Sequence, residues 1–119
     1  MITAAFANDF AREWIDSWNG HDLDEILGHY ADNLKFYSPL IKQLGINDEG
    51  VITEKEVLKA YFSKGLTLYP DLHFEFHEVL AGTGSVVIYY TSINGRKSAE
   101  LMEFDENGKI NLVRAHYSS

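Results

Sequence analysis

Apolar residues recur every fourth position at the start of the chain: Phe6, Phe10, Trp14 and Trp18, with Ala7, Ala11 and Ile15 beside them and Asp9, Arg12, Glu13 and Asp16 largely opposite. That spacing predicts one amphipathic helix. Asn19-Gly20 is expected to end it, because glycine takes the left-handed conformation that closes a helix without a side-chain penalty. Asp22 with Glu25 three residues on has capping-box spacing, so a short second helix is expected with Leu23, Ile26, Leu27 and Tyr30 inward. Leu34 to Ser38 reads as a strand stopped by Pro39, which cannot donate to a ladder. From Leu40 to Ile52, Gly45, Asn47, Asp48 and Gly50 stand among isolated leucines and isoleucines, the pattern of a flap made of loop or short irregular strand. Thr53 and Glu56 repeat the capping-box spacing and open a third helix with Val57, Leu58, Tyr61, Phe62 and Leu66 as its apolar stripe. Pro70-Asp71 marks its exit.

Four strands follow in series: Leu72 to Leu80, Ser85 to Ile93, Lys97 to Asp105 and Lys109 to Tyr117. Their separators, Gly82-Thr83-Gly84, Asn94-Gly95 and Asn107-Gly108, are hairpin-turn sequences or close to them. Helices first and an antiparallel meander afterwards predict an α+β protein with helices packed on one face of a curved sheet. Residues 1–119 are expected to form a single domain, since a chain of this length buries one sizeable core but not two.

Composition narrows the class. At 45% hydrophobic and 13% aromatic the chain is globular in type. No apolar run approaches the roughly 20 residues that cross a bilayer, and the N-terminus lacks a basic region followed by an apolar stretch, so a soluble, unexported protein is expected, with the cytoplasm as its default location. Absence of cysteine removes disulfides, thiol nucleophiles and thiolate metal sites. The net charge of -8 is uneven: Met1 to Asn33 carries seven acids against one base, Arg12. Such acidic helices repel a phosphate backbone, so no nucleic-acid partner is expected.

Two stretches carry a family resemblance: HDLDEILGHYADN from His21 to Asn33, extending to Pro39, and SAELMEFDENGKINLVRAHYS from Ser98 to Ser118. With the two tryptophans of the first helix, they make the chain resemble the nuclear-transport-factor-2-like superfamily, in its SnoaL-like and steroid delta-isomerase-like branch. The resemblance implies a cone: three N-terminal helices packed on a strongly curved, mixed but mostly antiparallel sheet that encloses a deep apolar pocket. It also implies a homodimer formed through the outer sheet face, here the face of Leu112, Arg114 and His116.

Strand alternation then nominates the pocket, because residues two apart share a face. Val87, Tyr89 and Thr91 are expected inward from one strand, Glu100, Met102 and Phe104 from the next, and Val113, Ala115 and Tyr117 from the last. Trp14, Trp18, Tyr30, Tyr61 and Phe62 are expected to close the pocket from the helices, with Phe36 or Ser38 from the first strand. Aromatic walls with few polar groups suit a small apolar molecule. The same aromatics also suit a filled core.

Glu100 is the candidate catalytic residue. It aligns with the isomerase acid that stays protonated and donates to a developing oxyanion, and apolar neighbours would raise its pKa by desolvation. Against isomerase chemistry, Trp14 stands where the family's hydrogen-bonding tyrosine is expected and Ser38 where its carboxylate base is expected. Serine without an activating partner is too weak a base to take a carbon-bound proton. Cyclase-type and hydrolase-type members place an aspartate at the position matched by Ala115, and hydrolase-type members an Arg and an Asp at those matched by Tyr89 and Thr91. Two classes stay open: a protein that binds a small apolar or aromatic ligand without the usual catalytic set, and a SnoaL-like isomerase, cyclase or hydrolase using Glu100 as general acid or base.

His73, Glu75 and His77 alternate along one strand face, a spacing that can ligate a metal. Leu72, Phe74 and Phe76 on the other face mark the core side, so the histidines are expected to point toward solvent or a subunit interface and no metal is expected. His21 is expected beside a helix cap, His29 at a helix end and His116 on the outer sheet face. The chain has no Gly-rich phosphate loop, dinucleotide fingerprint or HExxH helix, and no cofactor is implied.

Overall fold

The computed structural model describes residues 2–119. Helix α1 (Ala4–Asn19) starts at Thr3, whose hydroxyl accepts from the Phe6 N–H at 3.0 Å. Its stripe of Ala7, Phe10, Ala11, Trp14, Ile15 and Trp18 is buried. The end of the helix differs from expectation: Gly20 stays right-handed at φ -77°, and the left-handed residue is His21 at φ 56°. A histidine is held there because its Nε2 lies 2.7 Å from the Leu72 carbonyl. Asp22 does cap α2 (Leu23–Leu27), accepting from the Glu25 N–H at 3.2 Å.

Tyr30 opens strand β1 (Tyr30–Tyr37) and does not extend the second helix. Its ring is buried all the same. Ser38 caps α3 (Pro39–Gln43), with Pro39 in the first turn where its missing N–H costs nothing. The segment read as a flap is therefore partly helical, and Val51–Glu54 forms strand β2 antiparallel to β1. That pairing places Thr53 in a strand; the cap of α4 (Lys55–Leu68) is Glu54, without a side-chain bond. Four α-helices are thus present among the described residues where the sequence predicted three.

Strands β3 (Glu75–Ala81), β4 (Ser85–Thr91), β5 (Lys97–Phe104) and β6 (Ile110–Tyr117) form the meander. The six-stranded sheet runs β2-β1-β6-β5-β4-β3 and is not closed. Among the described residues only the β1–β6 pair is parallel. This is the mixed, mostly antiparallel sheet of the expected cone. Helix α1 lies against β3 and α2, and α4 against β1 and β2. No helix among the described residues is long and apolar enough to cross a membrane.

One part of the alternation is displaced. Along β4 the buried residues are Val86, Ile88 and Tyr90, not Val87, Tyr89 and Thr91. The cause is the turn before β5. Three residues, Ile93–Gly95, form a 3₁₀ turn, and the Ser92 N–H donates to Arg96 O at 2.7 Å. That register pairs Ile88 with Glu100; a two-residue Asn94-Gly95 turn would have paired Tyr89 with it. A one-residue slip in register exchanges the two faces of a strand.

A side chain fastens the helical layer to the sheet edge. The Asn19 amide donates to Phe74 O at 3.0 Å and accepts from the Phe74 N–H at 2.6 Å, so it satisfies backbone just before β3 where no strand does. Asn19→Ala removes both bonds and should destabilise the protein by about 2 kcal/mol, near 1 kcal/mol for each. Urea denaturation measures this as a lower midpoint at unchanged slope. An unchanged midpoint would mean that water replaces the amide fully.

Candidate functional site

The cavity lies between the helices and the inner sheet face. Trp14 and Trp18 of α1, Tyr30 and Phe36 of β1, and Tyr61 and Phe62 of α4 form most of its wall. Their rings interlock at centroid distances from 4.8 Å (Trp18–Phe62) to 6.2 Å (Tyr30–Phe36). The space left is small, about 70 Å³. Since one water needs roughly 10–15 Å³ of such space, the cavity admits a few waters or one ring-sized molecule.

Glu100 reaches this cavity from the middle of β5 and is 4% exposed. Tyr90, on the neighbouring strand, donates its hydroxyl to Glu100 Oε2. Burial disfavours the charged carboxylate and pushes its pKa from 4.5 up to about 7, while the Tyr90 bond pulls the other way. Around it stand three more tyrosines, Tyr30, Tyr61 and Tyr117. Burial raises the phenol pKa of all four, and the charge of Glu100 raises each further. Tyr61, also bonded to Ser38, is pushed up to about 12. Near neutral pH these phenols are therefore neutral donors and acceptors, and Glu100 is the group that can change charge.

Tyr61 donates to Ser38 Oγ at 3.4 Å, and the same oxygen accepts from the Leu40 N–H at 3.2 Å as the cap of α3. With both lone pairs engaged, Ser38 has none free to take a proton. Trp14 Nε1 donates to the Tyr30 hydroxyl at 3.0 Å. Ala115 faces Glu100 across the β5–β6 ladder and brings only a methyl group. The chemistry available is thus donation from a neutral carboxyl and from hydroxyls, plus movement of one proton at Glu100.

Eight residues named from sequence line the cavity: Trp14, Trp18, Tyr30, Phe36, Tyr61, Phe62, Glu100 and Tyr117. Met102 and Val113 are fully buried and paired with each other, outside its wall. Ser38 and Ala115 are buried but border a second, open hollow that also includes Lys42, Glu49 and Arg114. Phe104 packs edge-on against Phe10 at 4.8 Å, under the start of α1.

Val87, Tyr89 and Thr91 require correction, because the register of β4 turns them to the outer face. There Tyr89 lies 5.1 Å from the His77 ring, and His77 Nε2 lies 2.6 Å from Thr91 Oγ1. Sequence reasoning missed Tyr90, and with it Phe74, Ser92 and the half-buried Leu40, Leu44, Tyr69 and Ile93 of the wall. A signal existed for Phe74, which alternates with Leu72 as core. The four-residue spacing of Leu40 and Leu44 was a weaker one.

His73, Glu75 and His77 are exposed. Among the described residues no group of three or more His, Cys, Asp or Glu stands close enough to hold a metal ion. His29 follows α2, and burial lowers its pKa. His116 is exposed on the outer face.

The SnoaL-like domain profile matches residues 11–113. Among solved structures the chain is similar to a SnoaL-like protein of unknown function from Burkholderia thailandensis, at 44% identity over 100% of both chains, with a TM-score of 0.95. It is also similar to SalBIII, an epoxide hydrolase/cyclase-like enzyme with a role in pyran ring formation in the polyether salinomycin, at 18% identity over 99% of this chain and 95% of that one, TM-score 0.77. An NTF2-like protein of unknown function from Cytophaga hutchinsonii matches at 16% identity over 99% and 95%, TM-score 0.72. The last two likenesses are of fold. A comparison with curated proteins finds no match.

The pKa of Glu100 has a stability consequence with a definite sign. A folded-state value of about 7 against 4.5 means that the folded protein holds its proton more tightly than the unfolded chain. The carboxyl's contribution is complete below the unfolded value and is lost as pH rises through about 7. The loss is on the order of 3 kcal/mol. Glu100→Gln stays neutral and can still accept from Tyr90, so it should raise the melting temperature at pH 8 and leave it nearly unchanged at pH 4. Carbon-13 NMR titration of the Glu100 carboxyl checks the premise, and a midpoint near 4 would contradict it.

Proposed function

The chain belongs to the SnoaL-like domain family, and on that premise we propose that it binds a small, largely apolar or aromatic molecule in the internal cavity, without the catalytic set of the family's isomerases or cyclases. The observation that carries this reading is a carboxyl buried beside an aromatic cavity, where desolvation lets it hold its proton up to about pH 7. Buried acids cost free energy unless they are paired, and Tyr90 engages only one of the two oxygens of Glu100. The remaining O–H is free to fix the orientation of a ligand hydroxyl or carbonyl, while rings on the other walls take its apolar surface. Ser38 at the expected base position and Ala115 opposite the acid leave no second proton carrier of suitable strength.

A second reading is enzymatic: Glu100 as general acid or base in a SnoaL-like isomerase, cyclase or hydrolase. What favours it is the burial of Glu100, which pushes its pKa up to about 7, where proton transfer in either direction is efficient. The two readings differ in what Glu100→Gln removes. A binding protein loses affinity only for ligands that offer an oxygen to the carboxyl; an enzyme loses turnover while affinity persists.

Binding should be visible in the tryptophans, which form part of the wall. Single-ring aromatic hydrocarbons, phenols and ketones, titrated in turn, are expected to quench their fluorescence saturably, and Glu100→Gln should weaken the phenols and ketones but spare the hydrocarbons. If no compound of the three classes alters the emission, the aromatics form a filled core and the binding reading is wrong.

We further propose a homodimer through the outer sheet face of Leu112, Arg114 and His116. Support comes from the apolar residues on that face: Leu80 is 53% exposed, and Val87, Tyr89, Leu101 and Leu112 are half-buried. An interface around a two-fold axis brings each of these residues near its own copy, so Leu101→Lys places like charges together. Sedimentation at micromolar concentration should show a dimer for the parent chain and a folded monomer for Leu101→Lys. A parent chain that sediments as a monomer contradicts the proposal.

A further inference from the structure

The two tryptophans of α1 lie one turn apart and differ in one respect: the Trp14 N–H donates to Tyr30, whereas the Trp18 Nε1 is buried with no partner. Trp18 is only 7% exposed and its ring is fixed between Phe62 at 4.8 Å and Phe74 at 5.4 Å. An indole N–H donates only, so it cannot be relieved by a donor. It approaches the Tyr30 hydroxyl, which already accepts from Trp14 at 3.0 Å, without reaching hydrogen-bond geometry with it. One indole N–H therefore stands in the cavity wall without a well-formed hydrogen bond among the described residues. Leaving such a donor buried and unsatisfied costs about as much as a lost hydrogen bond.

An acceptor brought to this N–H must be neutral. No Lys, Arg or His lines the cavity, so an anion entering it would find no countercharge, and the acid already there is Glu100. A buried unpaired charge is far more costly than a buried dipole. The volume of about 70 Å³ restricts the body of the ligand to about one ring. Resting on the binding function proposed above, we infer that Trp18 is a specificity-determining donor, and that the cavity selects a small neutral carbonyl compound whose oxygen accepts a hydrogen bond from Trp18 Nε1.

Cyclohexanone and methylenecyclohexane have nearly the same shape and differ in an oxygen against a CH₂ group, so the pair isolates the acceptor. In nitrogen-15 spectra of the parent protein, cyclohexanone should shift the Trp18 indole N–H resonance downfield and methylenecyclohexane should not, with the Trp14 resonance little changed under both. In Trp18→Phe the preference for the ketone over the alkene should fall about five- to tenfold, the effect of one neutral hydrogen bond. Because a ratio is compared, any space opened by the smaller ring affects both ligands alike. The spectral measurement needs only the parent chain and decides the matter if the variant does not fold. Binding of both compounds without movement of the Trp18 resonance overturns the role of Trp18 and leaves the binding function standing. Failure of both compounds to bind overturns the two together.

Discussion

Burial of one carboxyl is the constraint on which the rest of the site depends. Glu100 sits in the middle of a strand with Ile88 on one side and Ala115 on the other, neighbours that offer it nothing polar. The polar partner comes instead from Tyr90, two residues along β4 and on the same face. Hydroxyls suit this position because they satisfy an acid without themselves becoming charged. A lysine or arginine there would hold the carboxyl ionised and make it an ion pair, with a far larger desolvation cost. The four phenols around this acid stay neutral at the pH where Glu100 changes charge, and the aromatic rings that carry those hydroxyls supply the apolar packing of the core.

Much of this was legible in the sequence wherever a pattern had only one solution. The four-residue recurrence of Phe6, Phe10, Trp14 and Trp18 allows one buried helix face, and that face is buried apart from Phe6, which is 39% exposed at the first turn. The alternation of Glu100 and Met102 with exposed Glu103 likewise fixes the inner face of β5. β4 is different: SVVIYYT offers an apolar residue at nearly every position, so either parity satisfies hydrophobicity. Its face is decided by the turn, and the turn by its length. Asn94 at φ 58° and Gly95 at φ 71° provide the left-handed residues that a two-residue hairpin also uses. Composition alone therefore could not separate two residues from three, and the difference exchanged Tyr89 for Tyr90 beside the acid.

The segment after Pro39 was hidden for another reason. Short helices draw little stability from their own hydrogen bonds and form because tertiary packing rewards them. In α3, Ile41 is buried completely, and half-buried Leu40 and Leu44 reach the cavity, but five residues carry too little periodicity to announce a helix. Thr53 and Glu56 show the opposite error. Their spacing was correct for a cap, yet pairing of β2 with β1 recruited Thr53 into the sheet. Local signals of about 1 kcal/mol yield when a strand ladder competes for the same residues.

The family relationship and the site's chemistry constrain each other. Fold likeness at 16–18% identity says only that the cone is suited to many activities. In this chain the cone leaves a cavity of only about 70 Å³. Trp14, placed on α1 and bonded to Tyr30, fills volume with an indole and spends its N–H inside the protein. Four residues later the same helical stripe puts Trp18 against the cavity with its N–H unspent. One periodicity thus serves two ends: one position bonds within the core, and the next turn leaves a polar atom at the wall. A protein selected for stability alone would gain by replacing Trp18 with an apolar ring of similar size, because a buried donor without an acceptor is a net loss that a phenylalanine or leucine avoids. The proposed ligand would bring the acceptor that an indole at that point can use.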